Sequence, residues 1–424
     1  MQRIQLEAAK TVNKVVRNGR NLTQVLSETL RKHSGFTPQE RGALQDLCYG
    51  TLRYYSRLVY IADSLLERPM QDETLHSLLL VALYQLQYTK VGQHAIVDQA
   101  VRAAKGTFPS AGGLVNAILR NFQRKQAALL AKADLKETSR YAYQQWWIDA
   151  LKPQYGERLA AILESGNRHP PMTLRVNARH ATATEYQELL ASQDMAARMV
   201  EPQALILEHP LAVDRLPKFA QGWVSVQDAG AQYAAKILDL QDGMRVLDAC
   251  AAPGGKAAHL LELAEIELVA VDKDEQRLER VRENLQRLQL EAQVVCGDAA
   301  TPESWWDGKV FQRILADVPC SASGVVCRHP DIKWLRRPED IESFAIQQRH
   351  ILESLWSLLA GDGKLLYATC SIFARENQQV IAAFLKQHAD AAKVEISVPG
   401  MTDGQLLPNE EHDGFFYALL QKKA

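Results

Sequence analysis

The sequence predicts a multidomain protein with an all-α N-terminal domain, a small α+β connector and a C-terminal α/β domain. Apolar residues recur at three- and four-residue spacing through residues 1–140, which is typical of packed amphipathic helices. From Ala229 onward, short apolar strands alternate with amphipathic helices, and this pattern predicts a doubly wound, mostly parallel sheet. The length of 424 residues accommodates these parts, because a domain usually holds about 100–200 residues.

The N-terminal domain, residues 1–140, is predicted to form one helix after another. Glycines and a proline between the periodic segments are expected to end them: Gly19, Gly35, Pro69, Gly92 and Gly106. This region carries 20 Lys and Arg against 11 Asp and Glu, a net charge of +9, so the rest of the chain carries −10. The basic third favours a domain that binds a polyanion, and solvated charge on helix faces is the alternative.

The connector, residues 141–228, mixes two patterns. A helical segment, "QQWWIDALKPQYGERLAAILES", precedes the strand-like pieces "MTLRVN" and "ALILE". The Pro170-Pro171 pair favours an extended chain at the start of the first strand. We therefore expect a small α+β domain between the two larger ones.

Composition excludes several classes of protein. Six cysteines in a chain of this length are too few for a disulfide framework, and none has the spacing of a zinc site, so we expect no bound metal and reduced thiols in the cytoplasm. No segment approaches the roughly 20 apolar residues of a membrane span, so we expect no membrane attachment.

The loop after the first strand of the α/β domain reads "DACAAPGGK", from Asp248 to Lys256. Ligands of doubly wound sheets bind beyond the carboxyl ends of the strands. The Gly254-Gly255 pair lets the backbone approach a ligand and opens the next helix with free N–H groups. A plain tight turn between strand and helix explains the same two glycines equally well.

Two acidic residues end the next strands. Asp272 closes the second strand, 17 residues after Gly255, and Asp298 follows the third in "CGDAA". A carboxylate at the first position can accept both hydroxyls of a ribose, whereas a single aspartate at a strand end is usually a helix cap. Together with the glycine turn, the pair indicates a nucleoside. Because the loop lacks the G-x-G-x-x-G pattern that holds a pyrophosphate, S-adenosylmethionine fits better than a dinucleotide.

Two cysteines follow the fourth and fifth strands, Cys320 in "ADVPCSASG" and Cys370 in "ATCSIF". If these strands are neighbours, both thiols reach one side of one cleft. Cytosine C5 is too weak a nucleophile to attack a methyl sulfonium unaided, and a thiolate that adds to C6 makes it reactive. An acidic group such as Asp317 can assist at N3. Chemistry alone leaves open which cysteine adds and which assists release.

At these motifs the sequence resembles the RNA cytosine-5 methyltransferases, the family of the NOL1/NOP2/Sun-domain enzymes. The resemblance is carried by "DACAAPGGK", "VDKDEQRLERVRENL", "LADVPCSASG" with "RHPDIKW", and "YATCS" with "EN"; upstream it includes "YGTLR", "GLVNAILR", "RHPPMTLRVN" and "GWVSVQDAGAQ". It covers essentially the whole chain. It implies a NusB-like helical RNA-binding domain at 1–140, an RRM-like connector at 141–228 and a Rossmann-like class I methyltransferase domain at 229–424.

The resemblance also implies roles for the site residues. Cys370 would be the nucleophile, Cys320 the thiol that helps release the product, and Asp317 a catalytic group between cofactor and base. The implied S-adenosylmethionine contacts are Cys250, Ala251, Ala252, Pro253, Gly254, Gly255, Lys256, Asp272, Asp298 and Asp317. Glu376 and Asn377 are expected to cap or orient the helix after Cys370, and Arg328 is a candidate RNA contact.

The family implies methylation of C5 of one cytosine in 16S rRNA, cytosine 967 by that resemblance. Two alternatives remain open: the same chemistry on another rRNA or tRNA cytosine, and an RNA-binding assembly factor whose methyltransferase domain is inactive. The expected partner is 16S rRNA, either naked or in a partly assembled small subunit. We expect a monomer, because three domains of one chain can grip the RNA.

Overall fold

The computed structural model describes residues 1–423 and divides into two compact units. One consists of Met1–Arg168 with Val326–Pro338, and the other of His169–Val325 with Glu339–Ala424. The second unit contains residues 169–228 of the expected connector and most of the α/β domain, whereas residues 141–168, expected in the connector, belong to the first unit. The three domain boundaries taken from the sequence remain a prediction.

The first unit is helical, as predicted. Its helices are α1 (Gln2–Asn18), α2 (Leu22–Lys32), α3 (Pro38–Arg53), α4 (Tyr55–Asp63), α5 (Glu73–Tyr88), α6 (Gln93–Thr107), α7 (Gly112–Asp134), α8 (Glu137–Arg140), α9 (Gln145–Tyr155), α10 (Leu159–Ser165) and α15 (Ile332–Leu335). Gly19 ends α1 with φ +65°, as expected for a left-handed cap. The apolar faces of α1, α3 and α5 meet in one core that includes Val12, Leu44 and Leu79.

The segment 326–338 belongs to this helical unit, although it lies between two strands of the α/β domain in the sequence. Lys333 is fully buried there, and its ammonium donates to the carbonyl oxygens of Arg53 at 2.6 Å and Ala142 at 2.8 Å and to Asn167 Oδ1 at 2.8 Å. Buried charge is tolerated only where such acceptors surround it. The segment is therefore fixed within the helical core.

The second unit begins with a four-stranded antiparallel sheet in the order β2-β3-β1-β4. Its elements are β1 (Met172–Val176), α11 (Ala183–Ala191), β2 (Ala197–Glu201), β3 (Ala204–Leu207) and β4 (Val224–Val226). Leu174, Tyr186 and Leu205 are buried between the sheet and α11. This is the small α+β connector that the sequence predicted.

A nine-stranded sheet forms the rest of this unit, with the order β11-β12-β13-β9-β8-β5-β6-β7 and β10 beside β13. The strands are β5 (Arg245–Ala249), β6 (Glu267–Asp272), β7 (Gln293–Cys296), β8 (Phe311–Asp317), β9 (Leu359–Thr369), β10 (Ala391–Val394), β11 (Met401–Thr402), β12 (Gln405–Leu406) and β13 (Phe415–Lys422). Strands β5 to β9 are mutually parallel, and β13 runs antiparallel to β9. The parallel strands match the sequence prediction of a doubly wound, mostly parallel sheet.

Helices cover this sheet: α12 (Ala229–Ile237), α13 (Gly255–Leu263), α14 (Glu275–Leu288), α16 (Pro338–Leu358) and α17 (Gln378–Gln387). One apolar cluster includes Leu260 and Leu278, and another includes Leu352 and Phe384. The chain passes from β5 outward to β7 and then returns to β8 on the other side of β5. Strand order therefore reverses at β5, where doubly wound sheets bind ligands.

No helix among residues 1–423 is long and apolar enough to cross a membrane. The same residues contain no group of three or more His, Cys, Asp or Glu side chains arranged to hold a metal ion.

Candidate active site

The predicted site residues lie at the carboxyl ends of the parallel strands. Because β5 to β9 run in one direction, the residues that follow them meet at one edge of the sheet. Strands β8 and β9 are neighbours, with Asp317 opposite Ala368. The condition for both thiols to reach one cleft, that the fourth and fifth strands of this domain are neighbours, is therefore met.

The loop after β5 takes a backbone path that depends on glycine. Gly254 has φ +95°, and a Cβ added there would lie 3.1 Å from the Cα of Val281 in α14. Gly255 follows at the first position of α13, and a Cβ there would have its nearest neighbour at 3.8 Å. The loop therefore packs tightly on its α14 side at Gly254 and stays open at the N-terminus of α13.

Asp272 fixes this loop from the end of β6. The side chain is 3% exposed, and its carboxylate accepts the N–H of Ala252 at 3.1 Å and the N–H of Asp274 at 3.1 Å. Asp298 is exposed after β7, and its carboxylate accepts the N–H of Ala300 at 2.9 Å. That contact is the local turn role of a strand-end aspartate.

Cys250 lies among the acidic residues of the site. Burial raises the pKa of its thiol, and the nearby carboxylates raise it further: Asp272, Asp317, Asp248 and Asp298. The thiol is therefore neutral at physiological pH and does not compete as a nucleophile. Three of these four carboxylates, Asp272, Asp298 and Asp317, are the predicted acidic residues, and each ends or follows a parallel strand at the same edge of the sheet.

Asp248 is a member of this group that the sequence reasoning did not single out. It lies on β5, is fully buried, and neither of its carboxylate oxygens has a hydrogen-bond partner. Burial and the charge of Asp317 raise the pKa of Asp248 well above its usual range. Burial of a carboxylate without a hydrogen-bond partner costs folding free energy. The sequence signal that could have identified Asp248 is its position as the first residue of the "DACAAPGGK" motif.

Lys256 and Asp317 form an ion pair across the cleft, with Nζ and Oδ2 2.6 Å apart. Their side chains are 15% and 30% exposed. Burial by itself lowers the pKa of Lys256, but the charge and hydrogen bond of Asp317 outweigh it, and Cys370 also acts in that direction, so the pKa is raised. The ammonium therefore stays charged beside Cys370.

The two predicted cysteines are in contact, since Cys320 Sγ and Cys370 Sγ are 3.4 Å apart. Both are partly buried. The hydrogen bond with Cys370, followed by burial, raises the pKa of the Cys320 thiol well above its usual range. The raised pKa favours the protonated form of the Cys320 thiol.

Glu376 and Asn377 were expected to cap or orient the helix after Cys370, and the capping half of this expectation is wrong. Asn377 occupies the N-cap of α17 without a side-chain cap, and its amide bonds Thr369, Ser371 and Gln405 instead. The Glu376 carboxylate points away from the helix end and accepts hydrogen bonds from buried donors beside the two cysteines.

Arg328, the candidate RNA contact, lies in the segment that belongs to the helical unit.

Three family models match successive parts of this chain. The NusB family matches residues 2–124, a ferredoxin-like domain of RsmF/B-type methyltransferases matches 143–214, and 16S rRNA methyltransferase RsmB/F matches 235–421. The ribosomal RNA small subunit methyltransferase B of Vibrio cholerae serotype O1 is 46% identical over 432 residues, covering 99% of this chain and 98% of that protein.

The chain belongs to the RsmB/F family of 16S rRNA methyltransferases. The methyltransferase B of Yersinia pestis biovar Antiqua is also 46% identical, over 98% of both chains. These relatives confirm the family expected from the sequence motifs and narrow the resemblance to methyltransferase B. The NusB-like, ferredoxin-like and methyltransferase parts of the predicted fold are confirmed as well.

Solved structures agree with this RsmB/F assignment. The crystal structure of PH0851 superposes with a TM-score of 0.80 at 25% identity, covering 98% of this chain and 99% of that one. A methyltransferase homologue from Pyrococcus horikoshii superposes with a TM-score of 0.60 at 27% identity, covering 67% of this chain and 97% of that chain.

The residues present in this RsmB/F chain fit S-adenosylmethionine. The cofactor carries a cationic sulfonium and a cationic ammonium, and the strand ends offer several carboxylates, one of which, Asp248, has no partner. The open backbone at Gly255 leaves room for a ligand beside the N-terminus of α13. S-adenosylmethionine contains no phosphate, and the loop correspondingly lacks the glycine pattern that binds a pyrophosphate.

Proposed function

We propose that this protein methylates C5 of one cytosine in 16S rRNA, with S-adenosylmethionine as methyl donor and a covalent adduct on Cys370. One observation carries the proposal: two thiols lie 3.4 Å apart beside the Lys256–Asp317 ion pair, at the carboxyl edge of a methyltransferase-type sheet. A pair of thiols has no evident use in simple transfer to oxygen or nitrogen. It suits a base whose carbon must first be activated.

The cofactor would be held by the β5 loop and the neighbouring strand ends. When bound, it supplies an electrophilic methyl group. Asp272 would accept its ribose hydroxyls, Asp298 would lie near the adenine, and the loop from Cys250 to Lys256 would line it. Asp317 would stand between the cofactor and the target base, which must leave its RNA stack to reach the cleft.

The geometry supports Cys370 as the nucleophile. Cys320 retains its proton and can donate a hydrogen bond to a Cys370 thiolate, while the ammonium of Lys256 stabilises the same negative charge. The Cys370 sulfur adds to C6, and the electron pair displaced from the C5–C6 double bond makes C5 nucleophilic. Hydrogen bonding at N3 would assist this addition, and Asp317, which is a carboxylate in its pair with Lys256, would supply it after taking up the proton that Cys370 releases.

Cys320 would act after methyl transfer. The hydrogen bond with Cys370 is the largest cause of its raised pKa, and that bond is lost once Cys370 is joined to the base. Cys320 then gives up its proton more readily, and that proton passes to solvent water. Its thiolate removes the proton from C5, the C5–C6 double bond reforms, and the C6–S bond breaks to return Cys370 as a thiolate.

The helical unit would supply affinity for rRNA. Residues 1–140 carry a net charge of +9, and such a charge favours contact with phosphates. We propose that one chain acts alone, and the substrate would be 16S rRNA, naked or in a partly assembled subunit. Sedimentation at micromolar concentration tests the monomer, and a stable dimer would contradict it.

The test is bisulfite sequencing of 16S rRNA after incubation with S-adenosylmethionine, with denaturing gels of the same reactions. We expect one modified cytosine with the wild type and none with Cys370→Ala. Cys320→Ala is expected to accumulate a protein–RNA adduct that survives denaturation. Cys296→Ala, which removes an exposed thiol, is the matched control and should behave as the wild type.

Other outcomes discriminate the alternatives. If Cys370→Ala still forms the adduct and Cys320→Ala does not, the two cysteines have exchanged roles. A wild type that modifies a different rRNA or a tRNA would keep the chemistry and change the substrate. If no RNA is modified although the protein binds 16S rRNA, the proposal is wrong and the protein is a binding factor.

A further inference from the structure

A serine follows each cysteine of the active site, and the mechanism gives neither serine a task. Ser321 follows Cys320, and Ser371 follows Cys370. Both are fully buried, so neither reaches substrate. A buried hydroxyl needs a hydrogen-bond partner, and the partner that these two residues share is a carboxylate.

Glu376 binds the residue after each cysteine. Its Oε1 accepts the backbone N–H of Ser321 at 2.8 Å, and its Oε2 accepts the hydroxyl of Ser371 at 2.5 Å. Gln348 Nε2 donates to Oε1 as well, at 3.1 Å. The side chain is fully buried, so solvent does not compete for these donors.

The hydroxyls form a second connection between the same two loops. Ser321 Oγ lies 3.0 Å from Ser323 Oγ and 3.2 Å from Ser371 Oγ, and the last two are 3.1 Å apart. Ser323 Oγ also accepts the N–H of Ile372 at 2.9 Å. The loop after β8 is thus bonded to the loop after β9 at several points directly beneath the thiols.

We propose that Glu376 is a positioning residue that holds Cys320 and Cys370 at contact distance by binding the residue after each of them. This proposal deepens the proposed function, on which it rests. Each oxygen of the Glu376 carboxylate accepts a hydrogen bond from one of the two loops. Because the carboxylate is rigid, it sets the separation of the loops and hence of the two sulfurs. It explains why the motif after β9 continues with serine and why a glutamate follows, because the Ser371 hydroxyl donates to Glu376, whereas the contact to the other loop uses the backbone N–H of Ser321.

The spacing matters most for release of the product. Addition to C6 forms its bond through Cys370 and can proceed without the Cys320 hydrogen bond, because the ammonium of Lys256 also stabilises the thiolate. Proton removal from C5, by contrast, requires Cys320 close to a base that is already attached to Cys370. Separation of the loops would leave addition possible and slow the second half of the reaction. Substrate and cofactor contacts do not involve Glu376, so its loss acts on kcat more than on KM.

Glu376→Gln tests this, since it keeps the shape and turns one acceptor oxygen into a donor. Glu353→Gln, which changes an exposed glutamate of α16, is the control. We expect kcat to fall about ten-fold or more with KM changed less than two-fold, and the protein–RNA adduct to accumulate. Ser371→Ala, which removes one of the donors to Glu376, should show the same pattern more weakly.

Oxidation of the thiols measures their proximity without any methyl transfer. Diamide takes up two electrons and two protons as Cys320 and Cys370 form a disulfide, for which the sulfurs must approach to about 2.05 Å. We expect the disulfide to form at least about five times more slowly in Glu376→Gln than in the wild type or Glu353→Gln. Peptide mass spectrometry identifies the linked pair.

An unchanged or faster oxidation rate in Glu376→Gln would overturn the proposal, as would a fall in kcat without accumulated adduct. If the wild type methylates no RNA, the proposed function fails, while the oxidation rates still decide whether Glu376 sets the spacing. A lower unfolding temperature with normal oxidation and normal kcat would assign Glu376 a structural role only.

Discussion

Arg175 of the connector is fully buried and bonds the methyltransferase part through three hydrogen bonds, with a fourth to Gln227 of the connector itself. Its guanidinium donates to both carboxylate oxygens of Glu262, at 2.9 and 2.6 Å, to Gln227 Oε1 at 2.6 Å and to the carbonyl of Gly255 at 2.7 Å. Gly255 opens α13 beside the cofactor loop. The same side chain therefore supports both the fold and the predicted cofactor site.

Replacement of Arg175 by methionine removes both contributions, and a double variant that also replaces Glu262 separates them. Loss of one partner from a buried ion pair costs about 3–5 kcal/mol, because the other charge stays buried and unpaired. The double variant Arg175→Met/Glu262→Leu removes both charges and should recover most of that stability. It does not restore the donor to the Gly255 carbonyl, so its affinity for S-adenosylmethionine should stay about five-fold below that of the wild type.

Urea unfolding measures the first effect and calorimetric titration with S-adenosylmethionine the second. The control is Arg198→Met, since Arg198 is half exposed in its pair with Glu411, and a surface pair contributes at most about 1 kcal/mol. A single Arg175 variant as stable as the wild type would refute the reasoning about the buried pair. A double variant with normal cofactor affinity would refute the role of the Gly255 contact.

Other predictions concern the glycine loop and a buried lysine. Gly254→Ala should weaken S-adenosylmethionine binding about ten-fold or more, measured by titration, because φ is +95° and the new Cβ meets α14. Gly243→Ala is the control, because Gly243 has a similar φ of +80° but open space around it. Normal affinity for S-adenosylmethionine in both variants would contradict the steric argument. Burial lowers the pKa of Lys333 in the folded protein. At a pH between this lowered pKa and the ordinary pKa of lysine, the side chain therefore takes up a proton when the protein unfolds. The free energy of unfolding should rise with pH through that range by up to about 1.4 kcal/mol per pH unit. Urea unfolding of Lys333→Met should lack this rise, and an identical pH profile would contradict it.

The sequence predicted the α/β fold and the position of its site because both follow from local patterns. Period-two and period-3.6 repeats identify strands and helices, and parallel strands bring their carboxyl ends to one edge. That rule was enough to bring Cys320 and Cys370 together. It required only that β8 and β9 be neighbours.

Other features depend on contacts that local patterns do not encode. The segment 326–338 is short and polar. Nothing in "RHPDIKW" indicates that Lys333 is buried in a helical unit whose other residues, 1–168, lie far earlier in the sequence. Glu376 follows Cys370 by six residues and precedes a helix, so a capping role was the simplest expectation. One of its true partners lies on a loop 55 residues away, at Ser321.

The central claim is that Cys370 attacks C6 of cytosine. It is tested most directly with 16S rRNA in which 5-fluorocytidine replaces cytidine, because C5 then has no proton to lose after methyl transfer and the adduct cannot be released. The wild type, incubated with this RNA and S-adenosylmethionine, should form a stable adduct whose protease digest carries the modified base on the peptide that contains Cys370. A modified Cys320 peptide, or no adduct at all, would contradict the account.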